Sequence, residues 1–81
     1  MAQVTVKVFG VLRLETGVQM MEANCKTLKE IVPLLNQNAK NETVITAREV
    51  ALYRNGQPCT RRNMLLADGD EIWVLSPAAG G

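Results

Sequence analysis

Histidine is missing from all 81 residues. Its absence removes the commonest general base and the commonest metal ligand, and so argues against an autonomous hydrolase or a zinc enzyme. Cysteine is scarce. Cys25 and Cys59 stand far apart, with no CxxC or metal-ligand spacing, and read as unpaired structural thiols in a reducing compartment. No apolar run approaches the roughly 20 residues of a membrane span. The opening MAQVTVKVFG has no basic leader and no cleavage box after an apolar stretch. The expectation is a cytoplasmic product without a membrane partner. Neither sign of charge dominates, since nine basic and eight acidic side chains leave a net +1. Nucleic acid demands a concentrated basic surface, and the nearest approach is Arg61-Arg62, which reads as a solvated turn. A chain this short builds one core and has little volume for an internal active site.

What is present is strand-like at both ends. Val4, Val6 and Val8 alternate with Thr5, Lys7 and Phe9, the period-two pattern of a strand with one buried face. Gly10 to Gly17 reads as a connection closed by the turn signal Thr16-Gly17. Val18 to Glu22 can return as an antiparallel strand in which only one of Met20 and Met21 reaches the core. Thr27-Leu28-Lys29-Glu30 is a capping box, and Leu28, Ile31, Val32 and Leu35 behind it form one apolar helical stripe. Pro33 either bends this helix or marks a later start. About three turns are expected, fading into a polar loop over Asn36 to Thr46. Val50 and Leu52, alternating with Ala51 and Tyr53, predict a third strand. Asn55-Gly56 is a hairpin turn, because both central residues of such a turn need positive φ. A short strand near Gln57 to Arg61 should follow, confined to an edge by Pro58. Asp68-Gly69-Asp70 is a second tight turn, and Glu71 to Leu75 is the last strand. The order β-β-α-β-β-β, with one main helix on one face of a small sheet, is an α+β roll. Residues 1–75 form the domain and 76–81 a tail.

Two segments resemble a known family. Val8-Phe9-Gly10-Val11-Leu12-Arg13-Leu14-Glu15-Thr16-Gly17 is similar to the N-terminal block of the small subunit of molybdopterin synthase. Gly10 replaces the usual Ala there, and Glu15 stands one place later than the common acid. The closing run from Leu66 through Asp68-Gly69-Asp70-Glu71 and Ile72-Trp73-Val74-Leu75 to Ser76-Pro77-Ala78-Ala79-Gly80-Gly81 resembles the end of the same family. The wider match is to the ubiquitin-like sulfur-carrier superfamily, so the resemblance implies a β-grasp roll with a mixed sheet of about five strands.

The resemblance also implies a chemistry. An adenylating, ubiquitin-activating-like enzyme would spend ATP on the Gly81 carboxylate, and a sulfur donor protein would displace AMP to leave a thiocarboxylate. The large subunit of a molybdopterin-synthase-type complex would then receive the sulfur. On this reading the chain is a non-catalytic sulfur-donor subunit that binds no cofactor and has no activity alone. Gly80 and Gly81 suit the role, since residues without Cβ thread narrow channels, and Pro77 restrains the root of the tail. Alternation puts Trp73 and Leu75 on the open sheet face with Phe9 and Tyr53, as a partner surface, unless the Asn36 to Thr46 loop covers Trp73. Arg13, among the apolar Val11, Leu12 and Leu14, is a candidate partner anchor beside the tail; Leu12 and Leu14 could equally cap the core. The alternatives are a carrier for thiamine thiazole or tRNA thiolation, a protein modifier joined to lysines, and a plain interaction domain.

Overall fold

Inward-facing Ala2, Val4, Val6 and Val8 make strand β1 (Ala2–Val8) one wall of the core, with every one of them buried. They do so in a computed structural model that describes residues 1–41, 44–46, 48 and 50–76. Strand β1 pairs antiparallel with β2 (Met20–Cys25) and parallel with β5 (Glu71–Leu75). Strand β5 also pairs antiparallel with β3 (Ala51–Arg54), which turns into the short edge strand β4 (Gln57–Cys59). The sheet order is β2-β1-β5-β3-β4. The first and last strands therefore run side by side at its centre. The turn between β3 and β4 has φ of 51° at Asn55 and 87° at Gly56, the double positive φ that this dipeptide was expected to supply.

The capping box closes as the sequence suggests. The Glu30 carboxylate accepts the backbone N–H groups of Thr27 and Lys26, each at 2.8 Å. Behind it comes a 3₁₀ turn, Leu28–Glu30, and only then helix α2 (Ile31–Asn38). This resolves Pro33. It lies in the first turn of α2, where its missing N–H has no intrahelical acceptor to lose. Leu28, Ile31, Val32 and Leu35 are buried against the sheet. Truncating one of them, such as Leu35→Ala, belongs to the class of change that costs about 2–5 kcal/mol.

Two expectations need correction. Gly10 to Gly17 is not an open connection, because Gly10–Thr16 forms a helix, α1, between β1 and β2. Leu12 and Thr16, one turn apart, face the core, and the Thr16 hydroxyl donates to the Leu12 carbonyl at 2.8 Å. Gly17 ends the helix at φ 72°, its N–H donating to the Arg13 carbonyl at 2.9 Å. The supposed turn signal is thus a left-handed helix cap. Closing α1 occupies residues through Gln19, so β2 spans Met20–Cys25 rather than Val18 to Glu22. Ala23 and Cys25 line the core, Met21 packs partly against it, and Met20 is exposed.

The polar stretch after α2 also hides a core residue. The Asn36 side chain accepts the Ile45 N–H at 2.8 Å and donates to the Ile45 carbonyl at 2.7 Å. That clamp holds Ile45 in the core at 2% exposure. No helix among the described residues is long and apolar enough to cross a membrane.

Candidate functional site

With α2 covering one face of the sheet, alternation leaves the odd positions of β1 and β5 on the other. The registers Lys7↔Met20, Lys7↔Trp73, Tyr53↔Trp73 and Tyr53↔Pro58 lay one row of side chains across all five strands. At its centre Trp73 is flanked by two rings. Phe9 meets it edge-on at 5.6 Å between centroids, and Tyr53 stacks at 6.2 Å. Such pairs are each worth about 0.5–1.5 kcal/mol beyond burial. Trp73 and Tyr53 are half-buried and Phe9 is exposed. The rings shield one another, while Ile45 of the polar stretch packs into the core across the sheet.

The rim of this face is charged. Glu71 accepts the Trp73 indole N–H and pairs with the Lys7 ammonium at 3.4 Å. The indole hydrogen bond, opposed in part by burial and aided by Lys7, holds the Glu71 carboxyl below its ordinary range. Beside Phe9, a cleft of about 550 Å³ lies between the ends of β1 and α1, lined by Lys7, Phe9, Arg13, Gln19 and Met20. Arg13 is exposed on α1. Leu75 ends β5, half-buried, opposite Ala51.

The site sits at the root of the tail because of one backbone bond. The Phe9 N–H donates to the Val74 carbonyl at 3.0 Å, which seats the start of α1 beside the end of β5. The structure thus brings Phe9, Tyr53 and Trp73 into contact, and sets Arg13 next to Phe9. Gly80 and Gly81, with Pro77, lie outside the described residues. Of the alternatives for α1, Leu12 caps the core, while Leu14 and Val11 stand exposed.

Sequence reasoning passed over Lys7 and Met20, although the alternation that found Trp73 also places them on its row. It also missed the anchor beneath β5. The buried Asp70 carboxylate accepts from Arg54 Nε at 2.8 Å, Asn55 Nδ2 at 3.0 Å and the Ala67 N–H at 2.8 Å. Burial alone would raise its pKa, but these three donors together hold it below the ordinary value. Asn55 in turn accepts the Glu71 N–H at 2.9 Å, so the hairpin residue also fixes the start of β5. The thiols lie elsewhere. Cys25 is buried, its pKa raised by burial and then by Glu30, and Cys59 is half-buried on β4; both are free. A half-exposed aromatic cluster with a charged rim has the make-up common at protein–protein interfaces.

A mixed five-stranded sheet with its first and last strands paired in parallel, crossed by one main helix, is the ubiquitin-like β-grasp. The chain belongs to the ThiS family, whose model matches residues 6–81. Among curated proteins no sequence match is found. Solved structures are similar over nearly the whole chain. Small archaeal modifier protein 1 (SAMP1) of Methanosarcina acetivorans is 26% identical, with 100% of this chain and 98% of that one covered and a TM-score of 0.77. Subunits 1 and 2 of the molybdopterin-converting factor of Helicobacter pylori 26695 form a complex that matches at 25% identity, covering 98% and 99%, with a TM-score of 0.68. Urm1 of Trypanosoma brucei shares the fold at 18% identity, covering 98% and 95%, with a TM-score of 0.69. The chain is thus a ubiquitin-like sulfur carrier or modifier.

Proposed function

We propose that this protein carries sulfur as a C-terminal thiocarboxylate for molybdopterin synthesis in the cytoplasm. The observation that carries the reading is the extent of the family match, which runs through Gly80-Gly81. In the proposed cycle the Gly81 carboxylate attacks the α-phosphorus of ATP on an adenylating enzyme and pyrophosphate leaves. A sulfur donor then displaces AMP. The thiocarboxylate is handed to a large subunit of the molybdopterin-synthase type, where its sulfur enters a sulfur-free pterin precursor. The neighbour solved as a complex of subunits 1 and 2 supports that partner.

In this cycle the aromatic face docks both enzymes in turn. Gly-Gly tails are nearly alike, so discrimination has to come from surface beside the tail, and Arg13 with the Lys7 to Met20 cleft supplies it. The test is intact-mass analysis of protein from its native host, followed by sulfur transfer to the pterin precursor with the large subunit. One oxygen replaced by sulfur, and conversion of the precursor, are expected. Transfer to a thiazole synthase but not to the pterin precursor overturns the branch. The likeness to a small archaeal modifier favours one second reading, attachment to lysines. Isopeptide-linked adducts on other proteins, with no thiocarboxylate form, would select it.

A further inference from the structure

Two strands lie at the margins of the sheet, and they differ. Strand β4 has three residues with Pro58 at its centre, a blunted edge with no N–H to offer there. Strand β2 runs six residues, Met20–Cys25, without proline. The Val8 N–H donates to the Gln19 carbonyl at 3.0 Å, which makes these two a hydrogen-bonded pair. Alternation along the register then turns the backbone groups of Met21, Ala23 and Cys25 toward β1. Those of Met20, Glu22 and Asn24 point outward, and among the described residues no strand meets them.

The ground beside this edge is shaped and charged. A cleft of about 300 Å³ follows its helix side, lined among others by Val18, Met21, Asn38 and Lys40. The Lys7 to Arg13 cleft reaches the same edge from the other side, and Met20, 60% exposed, belongs to both. Lys7, Arg13 and Lys40 line the two clefts and no carboxylate does.

We propose that β2 is a docking edge for an extended segment of a partner protein. That segment adds as a further strand through Met20, Glu22 and Asn24, covers Met20 and Met21 with apolar side chains, and sets a carboxylate against Lys40. A second copy of this chain fits less well. The pairing that uses all three outward residues sets Glu22 against Glu22, a like-charge pair at its centre. The edge is separated from β5 by β1, so an occupant leaves Trp73 open. The inference does not rest on the sulfur-carrier reading.

The test uses the whole isotope-labelled protein and a synthetic peptide of alternating valine and isoleucine followed by three aspartates. Peptide addition slows hydrogen exchange at the amides of Met20, Glu22 and Asn24 by about tenfold or more. The amides of Met21, Ala23 and Cys25 and the Trp73 indole signal do not change. Lys40→Glu weakens binding by about threefold, and a peptide carrying lysines for aspartates prefers that variant to the unaltered protein. Absence of binding, or changes centred on Phe9, Tyr53 and Trp73, overturns the proposal. So does protection of the same three amides that grows with protein concentration when no peptide is present, because the occupant is then a second copy.

Discussion

Asp70 shows how much one side chain decides. It joins the turn at Ala67, the hairpin at Asn55 and the strand at Arg54, so Asp70→Ala leaves a half-buried guanidinium and a backbone N–H without their acceptor. A loss of about 2–3 kcal/mol is expected, read from the urea midpoint. The sign of its pH dependence follows from the lowered pKa. Its stabilisation is complete above the unfolded value of 3.8 and disappears as pH falls through the lower folded value. The gap in stability between the unaltered protein and Asp70→Asn should therefore hold from neutrality to about pH 5 and close in stronger acid. Trp73 is the opposite kind of residue, flanked by Phe9 and Tyr53 on the open face. Trp73→Asp should keep a folded far-ultraviolet spectrum while affinity for the activating enzyme and the large subunit falls by about 2 kcal/mol or more. If the variant unfolds instead, Trp73 serves the body and not a partner. Its place was readable from period-two alternation alone. Asp70 was not, because the sequence showed only a turn residue and its two side-chain donors, Arg54 and Asn55, come from positions distant along the chain.

Among the elements, β1, the Asn55-Gly56 hairpin and β5 were legible, since each follows from local stereochemistry. Helix α1 was not. Its seven residues expose Val11 and Leu14 and bury only Leu12 and Thr16, too short a stripe to register as helical period. The available signal was Leu12 and Thr16 one turn apart, followed by a glycine. At Gly17 an added Cβ would lie 3.1 Å from Lys40 Cβ, at φ 72°. Gly17→Ala should therefore cost about 1–2 kcal/mol in thermal denaturation. The stretch after α2 was misread for a related reason. Val44 and Ile45 make only a two-residue apolar run among polar neighbours; Val44 stands exposed, and the burial of Ile45 depends on its two hydrogen bonds with the Asn36 side chain. Asn36→Ala should cost about 2 kcal/mol, and exchange at the Ile45 amide should approach that of an exposed loop.

For the whole molecule, the division of labour between body and tail makes one clear expectation. Removal of Gly81 should abolish thiocarboxylate formation while the melting temperature stays nearly constant, since such terminal changes stay within about 0.5 kcal/mol. A truncated protein that still complements a carrier-deficient strain would refute the C-terminal mechanism. The proposed tail chemistry comes from the family resemblance carried by Gly80-Gly81 and the run before them, not from geometry. The central position of β5 has a mechanical consequence. An enzyme that grips the tail and pulls applies its load along a strand bonded on both flanks, to β1 in parallel and to β3. Because ladder bonds lie across the strand direction, that load shears them together instead of opening them one after another. In single-molecule pulling between the C-terminus and an anchor on β2, the domain should rupture in one step at a higher force than when pulled between β3 and β4, where the hairpin unzips pair by pair. A carrier built this way can have its end drawn deep into a channel without the body coming apart.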